Sequence, residues 1–273
     1  MEPTTKPLRV AIAGLGAIGK SLAIRLTDGA VPGVMLTAVS AKNQDKARDF
    51  VETLAYPVKV LTIAELEQEA DVVVECAPAE LLGDIITPFL RAKKKAIVLS
   101  VGAILFKPEL IELAKNTGGT IMVPTGALIG LDAMIAAAEG EIFSVRMVTN
   151  KPPLGLKGAP HLIENNISVD GLTEPLKVFS GNAREAAKGF PANLNVVVAL
   201  ALAGVGPEKT HLEIWADPTV VRNTHTITVD SDSAKFSMKM ENIPSENPKT
   251  GRIVAQSVVA MLRKMLATFQ VGT

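Results

Sequence analysis

The sequence predicts an α/β protein in which a doubly wound parallel sheet is followed by a second, α+β domain with a mostly antiparallel sheet. Three observations support this fold class. Apolar runs of strand length alternate with helical patterns over residues 1–125. A glycine-rich turn joins the first of these strands to the first helix. From residue 141 onwards, apolar and polar residues repeatedly alternate, which is typical of antiparallel strands with one buried face.

Residues 8–26 contain an apolar strand, a glycine turn and an amphipathic helix in that order. The glycines are Gly14, Gly16 and Gly19, in the G-x-G-x-x-G spacing. Gly14 permits a tight turn, Gly16 lets a pyrophosphate approach the backbone, and Gly19 allows the helix to pack closely on its strand. The helix N-terminus then offers unpaired N–H groups to the phosphates. We therefore interpret this segment as the dinucleotide-binding turn of a Rossmann domain, and a purely structural turn is the alternative.

The remainder of the first domain alternates strands and helices. The predicted strands are Val34–Ser40, Asp71–Cys76, Ala96–Val101 and Thr120–Pro124, and the predicted helices are Asp45–Leu54, Ala79–Ala92 and Pro108–Lys115. Continuous apolar strands separated by helices indicate a parallel sheet that is covered on both faces. We expect an NAD(P)-binding domain over residues 1–125.

Residues 126–245 are expected to form the catalytic, substrate-binding α+β domain. The predicted helices are Gly126–Glu139 and Asn193–Ala203, the latter with Pro191 in its first turn, and the predicted strands are Glu141–Thr149, Asn223–Asp230 and Lys235–Glu241. Residues 246–273 are predicted to supply a helix at Thr250–Thr268, capped by Thr250, that packs back on the N-terminal domain.

Composition narrows the class of protein. The chain has 273 residues, 48% of them apolar, with 28 basic and 28 acidic side chains. A formal net charge of zero gives no indication of nucleic acid or an anionic membrane as a partner. The single cysteine, Cys76, excludes an intrachain disulfide and a cysteine-based zinc site, and three scattered histidines predict no metal site. Without an apolar signal or membrane span, we expect a soluble, cytoplasmic protein.

The second predicted strand ends in Ser40-Ala41-Lys42-Asn43, without the acidic residue that binds the ribose 2′-hydroxyl in NAD-specific domains. Ser40, Lys42 and Asn43 would accommodate a 2′-phosphate, although Lys42 is equally well read as a solvated loop lysine. We therefore expect NAD and NADP as cofactors, with dual use or a preference for NADP.

At two other strand ends, Cys76-Ala77-Pro78 and Ser100-Val101-Gly102-Ala103, small residues would let the backbone approach the ligand. Cys76 itself is expected to be an inert small residue.

The three histidines differ in their predicted surroundings. His161 lies in a Pro/Gly-rich segment and is expected to be exposed, and His211 starts a strand and is expected to be peripheral. His225 shares a face with Ile227 and Val229 and is therefore protected. It is either a hydrogen-bonded core residue or an acid/base catalyst that titrates within a unit or two of the reference value of about 6.5.

Several segments together resemble the L-aspartate dehydrogenase family over nearly the whole chain. They are Val10–Gly19, Ser100–Ala103, Gly126–Ala133, Lys151–Pro153, Asn193–Asn195, Trp215–Pro218, Asn223–His225 and Glu246–Thr250. The resemblance implies oxidative deamination of L-aspartate to oxaloacetate and ammonia through iminoaspartate, with NAD or NADP as the hydride acceptor. It also implies a contribution to pyridine nucleotide biosynthesis, and we expect a homodimer with a small-molecule substrate.

The resemblance also implies roles for particular residues. His225 matches the catalytic histidine of the family and Asn195 matches its nicotinamide-contacting asparagine. A further cofactor contact falls at Ile129, with Ala127 as the near alternative. The full set of expected cofactor-binding residues is Gly14, Gly16, Ala17, Ile18, Gly19, Lys42, Ala77, Pro78, Ala127, Ile129 and Asn195.

Two questions stay open at the level of sequence. The substrate carboxylates require cationic or N–H donors, for which Arg146, Lys151, Lys157 and the start of the Asn193 helix are all candidates. The scaffold also suits another amino-acid or imine dehydrogenase, such as a homoserine or dihydrodipicolinate-type enzyme. A protein that senses NAD without turnover is the alternative of a different class.

Overall fold

The computed structural model describes residues 6–191, 194–245 and 251–273. The chain divides into two compact units. The first takes in the described part of Met1–Gly126 together with Val254–Gln270, and the second takes in that of Ala127–Ile253 together with Val271–Thr273.

The first unit contains a six-stranded, fully parallel sheet in the order β3-β2-β1-β4-β5-β6. Its strands are β1 (Leu8–Ala13), β2 (Val34–Ser40), β3 (Lys59–Val60), β4 (Val72–Glu75), β5 (Lys95–Val98) and β6 (Thr120–Met122). Its helices are α1 (Ala17–Thr27), α2 (Gln44–Val51), α3 (Leu66–Glu69), α4 (Leu82–Arg91), α5 (Val101–Ile104) and α6 (Pro108–Thr117). This strand order is that of the doubly wound Rossmann fold, as the sequence predicts.

The second unit contains a five-stranded sheet in the order β11-β10-β7-β9-β8. Its strands are β7 (Ile142–Lys151), β8 (Leu176–Asn182), β9 (Thr210–Ala216), β10 (Thr224–Ser231) and β11 (Lys235–Glu241), and its helices are α7 (Leu131–Ala138), α8 (Pro160–Glu164), α9 (Ala183–Gly189) and α10 (Asn195–Ala203). Only β7 and β9 pair in parallel, so the sheet is mostly antiparallel, as expected.

The C-terminal helix, α11 (Ile253–Leu266), contributes to the core of the first unit. Val258 and Leu262 are fully buried in the hydrophobic cluster that also contains Leu22 and Leu36. In the part of the chain that the structure describes, no helix combines the length and the apolarity that crossing a membrane requires.

Several element boundaries differ from the sequence-based expectation. The strand predicted at Ala96–Val101 ends at Val98, because the next two backbone N–H groups donate to the carboxylate of Glu75. The helix predicted from Gly126 begins only at Leu131. Both Gly126 and Gly130 have positive φ angles, of 60° and 73°, and a left-handed residue interrupts an α-helix.

The helix predicted at Asn193–Ala203 begins at Asn195, so Pro191 lies outside it and not in its first turn. Asn193 itself, and Thr250 as the expected N-cap of the C-terminal helix, lie outside the described residues.

Candidate functional site

A cavity of about 860 Å³ lies in the first unit, at the carboxyl ends of β1, β2 and β4. Of the expected cofactor-binding residues, five line it, namely Gly14, Gly16, Lys42, Ala77 and Pro78. Ala17, Ile18 and Gly19 form the first turn of α1, which follows directly. The strand-turn-helix sequence motif and the end of β4 therefore meet at one cavity.

Each of the three glycine positions in the turn has a different reason to be glycine. Gly14 has a φ of +104°, and a Cβ there would come within 2.5 Å of the carbonyl oxygen of Cys76. A Cβ on Gly19 would overlap the carbonyl oxygen of Gly14. A Cβ on Gly16 would meet no atom within 4 Å, although Gly16 lines the cavity. The protein itself does not require glycine at that position, whereas a pyrophosphate lying on the backbone would.

The charge of the cavity is positive. Lys20, Lys42 and Lys46 line it, and none of the described lining residues is Asp or Glu. The side chain of Asn43 accepts a hydrogen bond of 2.9 Å from the backbone N–H of Lys46 and so caps α2. The end of β2 therefore offers lysine and hydroxyl groups to a ribose 2′-phosphate. It has no carboxylate that would repel this phosphate, so the cavity fits NADP as well as NAD.

Cys76 follows β4 and also lines the cavity. Burial raises the pKa of its thiol well above the usual value, and the neighbouring Glu75 carboxylate adds to the shift. A protonated, buried thiol is a poor nucleophile, in agreement with the expectation that Cys76 is inert.

A second group of polar residues lies on the buried face of the sheet in the second unit. His225 on β10 is directly opposite Thr149 on β7, and its Nδ1 atom is 3.1 Å from the hydroxyl oxygen of Thr149. Lys151, the last residue of β7, points to the same face. All three residues are 4% exposed. Within the ranges that the structure describes, no group of His, Cys, Asp and Glu residues has the arrangement of a metal site.

His225 is neutral over the physiological pH range. Burial lowers its pKa from 6.5 to about 3, and the ammonium group of Lys151 contributes to the shift. In the free protein the pKa of His225 therefore lies below the range, within a unit or two of 6.5, that is expected of a catalytic histidine at this position. The sequence indicates a protected face for His225 but does not show how completely the ring is buried or that a cation shares the site.

The structure separates the candidates for substrate carboxylate binding. Arg146 lies on the opposite face of β7 and forms a 2.7 Å salt bridge with Glu213. Lys157 is exposed and pairs with Asp170 at 2.9 Å. Asn193 is outside the described residues. Among the described candidates, Lys151 alone shares the buried face of His225.

The remaining expected cofactor contacts lie in the second unit. Asn195 is the first residue of α10 and is exposed. Ile129 is also exposed, in the loop before α7. The carbonyl of Ala127 accepts a hydrogen bond of 3.1 Å from the side chain of Asn242.

His161 differs from its expected position in an exposed loop. It belongs to α8, is half-buried, and packs against the rings of Phe179 and Phe190, each with a centroid separation of 5.3 Å. This packing accounts for its burial. His211 is half-buried on β9, 3.3 Å from the hydroxyl of Ser180.

The buried histidine predicts a pH dependence of stability. Between about pH 6.5 and pH 3 the unfolded state binds a proton at His225 that the folded state does not, so the free energy of unfolding decreases as the pH falls through this range. We expect wild type to lose about 2 kcal/mol more than His225→Gln between about pH 7 and pH 5, measured by urea unfolding. Equal losses in the two proteins would contradict a neutral, buried His225.

Comparisons with known proteins agree with one another. Residues 132–265 match the family described as "Aspartate dehydrogenase, C-terminal", and residues 14–124 match "Homoserine dehydrogenase, NAD binding domain". L-aspartate dehydrogenase 3 of Bordetella bronchiseptica is 62% identical over 97% of this chain and 98% of its own length. The L-aspartate dehydrogenase of Bradyrhizobium diazoefficiens is 57% identical over 100% of this chain and 96% of its own.

Solved structures extend this agreement. Aspartate dehydrogenase from Thermotoga maritima has a TM-score of 0.76 at 25% identity, covering 97% of this chain and 99% of that one. Scyllo-inositol dehydrogenase from Lactobacillus casei, solved with NAD(H) and scyllo-inositol, has a TM-score of 0.54 at 14% identity, with coverages of 94% and 87%, and shows the fold alone. The resemblance drawn from the sequence motifs is thus confirmed. This chain is a nicotinamide-dinucleotide-dependent oxidoreductase and belongs to the L-aspartate dehydrogenase family.

Proposed function

We propose that the protein catalyses the oxidative deamination of L-aspartate, in which L-aspartate, water and NAD(P)⁺ give oxaloacetate, ammonium, NAD(P)H and a proton. The observation that carries this proposal is the buried group of His225, Thr149 and Lys151 on β7 and β10, in a chain that is 62% identical to a protein named L-aspartate dehydrogenase. A homodimer, a cytoplasmic location and a contribution to pyridine nucleotide biosynthesis stay predictions.

The dinucleotide would be held by the first unit. The backbone of Gly14 and Gly16 and the N–H groups at the start of α1 suit its pyrophosphate, and Lys42 suits a 2′-phosphate. When bound, the nicotinamide ring accepts the hydride that leaves Cα of the substrate.

His225 is proposed as the base. The substrate ammonium has to lose a proton before Cα can release a hydride, and a water molecule has to lose one when it adds to iminoaspartate. In the tautomer that suits both steps, Nδ1–H donates to the Thr149 hydroxyl oxygen and Nε2 keeps its lone pair. Thr149 would then fix the orientation of the imidazole.

Lys151 is proposed to bind a substrate carboxylate. Its ammonium lies on the face of His225 and lowers the pKa of that ring. A carboxylate placed against Lys151 offsets the positive charge, and so raises the pKa of His225 relative to the free protein. His225 would therefore accept a proton more readily when substrate is bound than when the site is empty.

We expect reduction of NAD(P)⁺ with L-aspartate and about 100-fold slower reduction with L-glutamate, because the additional methylene displaces one carboxylate from its donors. A spectrophotometric screen of amino acids at saturating cofactor measures both rates. Equal rates would contradict the substrate assignment. Nucleotide binding without turnover of any amino acid would indicate a sensing protein instead.

We expect His225→Asn to keep its nucleotide affinity and to lose about 100- to 10,000-fold in kcat, as is typical when a general base is removed. His211→Asn is the matched control, because His211 is half-buried in the same sheet but lies on β9 away from Thr149. Melting temperature and kcat are measured on the same preparations. A folded His225→Asn protein with near wild-type kcat would leave His225 as a core residue only.

We expect Gly16→Val to fold normally and to weaken nucleotide binding on the order of 100-fold, because the side chain would enter the space that a pyrophosphate needs. Gly155→Val is the control, since a Cβ at Gly155 also meets no atom within 4 Å but Gly155 lies outside this cavity. Titration of NADPH fluorescence gives both affinities. An unchanged affinity in Gly16→Val would make the turn purely structural.

Lys42→Asp is expected to shift the ratio of kcat/KM values from NADP towards NAD by about tenfold or more, because a carboxylate repels the 2′-phosphate. Lys95→Asp, on the exposed start of β5, controls for the change in net charge. The same ratio in wild type and Lys42→Asp would place Lys42 away from the ribose.

A further inference from the structure

Glu75 ends β4 in a position where the sequence pattern favours an apolar residue. The three preceding residues, Val72 to Val74, are fully buried, and Glu75 is 0% exposed as well. Burial raises the pKa of this carboxyl group. Since burying a carboxylate is costly unless its oxygens are hydrogen-bonded, the position requires a specific reason.

The carboxylate is surrounded by donors from two segments. One oxygen, Oε1, accepts from the backbone N–H of Ala77 at 3.1 Å and from the Ser100 hydroxyl at 3.0 Å. The other, Oε2, accepts from the backbone N–H groups of Leu99 at 3.1 Å and Ser100 at 2.8 Å. A set of four donors matches the ionised form of a carboxyl group, which only accepts.

These hydrogen bonds join the wall of the nucleotide cavity to the neighbouring strand. Ala77 belongs to the segment Cys76–Pro78, which lines the cavity, whereas Leu99 and Ser100 directly follow β5. The backbone of Gly14 lies against the same wall, because a Cβ on Gly14 would come within 2.8 Å of the Ala77 nitrogen. A displacement of the wall would therefore move the glycine turn or open a gap beside it.

We propose that Glu75 is a positioning residue for the dinucleotide, which holds the Cys76–Pro78 wall and the Leu99–Ser100 segment at the spacing that the bound nucleotide requires. It acts through these two segments and does not touch the nucleotide. The inference rests on the proposed dinucleotide site and adds to it a residue that lies outside the glycine motif and outside the lining of the cavity.

Glu75→Gln is the informative substitution, because it keeps the size of the side chain and replaces one acceptor oxygen by an NH₂ group. That NH₂ group would face N–H or O–H donors, leaving at least one buried donor without a partner, which is costly enough to displace a loop. Asp71→Asn is the matched control. Asp71 immediately precedes β4, at the end opposite Glu75, and accepts from the backbone N–H of Arg9 at 3.1 Å and from its guanidinium at 2.6 Å.

The experiment measures the dissociation constants of NADPH and NADH by nucleotide fluorescence, together with melting temperature, for wild type and both variants. We expect Glu75→Gln to bind both nucleotides about tenfold more weakly, and its KM for the nucleotide to rise while its KM for L-aspartate stays within about twofold. Asp71→Asn is expected to lower the melting temperature and to leave both dissociation constants within about twofold of wild type.

Unchanged nucleotide affinity in folded Glu75→Gln would overturn the inference, and so would an equal loss of affinity in both variants, because that would be a general effect of destabilisation. If Glu75→Gln does not fold, Ser100→Ala replaces it, since this change removes one donor only. About threefold weaker nucleotide binding in Ser100→Ala supports the inference, and wild-type affinity overturns it. Failure of the wild-type protein to bind either nucleotide would contradict the proposed function, and the inference with it.

Discussion

The close approach of the Gly14 backbone to the end of β4 constrains the geometry of the nucleotide cavity in the first unit. The N–H of Gly14 donates to the carbonyl of Ser40 at 2.7 Å, at the end of β2, while its other side faces the carbonyl of Cys76 with no room for a Cβ. The turn after β1 is thereby in contact with the ends of both neighbouring strands, β2 and β4, which fixes its spacing from each of them. The cavity, its positive lining and the start of α1 all depend on that spacing.

The second unit buries polar side chains on one face of its sheet. His225, Thr149 and Lys151 share their face with apolar residues such as Met147 and Ile227. The apolar neighbours exclude water, so the imidazole stays neutral and the charge of Lys151 acts on it with little screening. A neutral base beside a fixed cation is suited to a substrate that carries both an amine and carboxylates.

Local patterns predict most of the fold, because strands such as Val34–Ser40 and the buried face of His225 follow from the phase of apolar residues alone. Contacts between distant segments are not visible in such patterns. The early end of β5 depends on Leu99 and Ser100 bonding to a side chain of another strand. Similarly, the choice of Lys151 over the other cations depends on which face of β7 each residue occupies and on what covers that face. The low pKa of His225 depends both on the face that Lys151 occupies and on the residues that bury that face.

The burial of α11 in the first unit has a consequence for the order of events on the ribosome. The strands of the second unit, up to Glu241, are synthesised before Val258 and Leu262. The Rossmann sheet therefore emerges first, and the second sheet is synthesised after it. The Rossmann sheet lacks part of its apolar core until residues 253–266 have left the exit tunnel. A nascent chain paused after β11 would hold all strands of both sheets and yet expose the apolar surface that α11 covers, which makes such pauses favourable points for chaperone engagement.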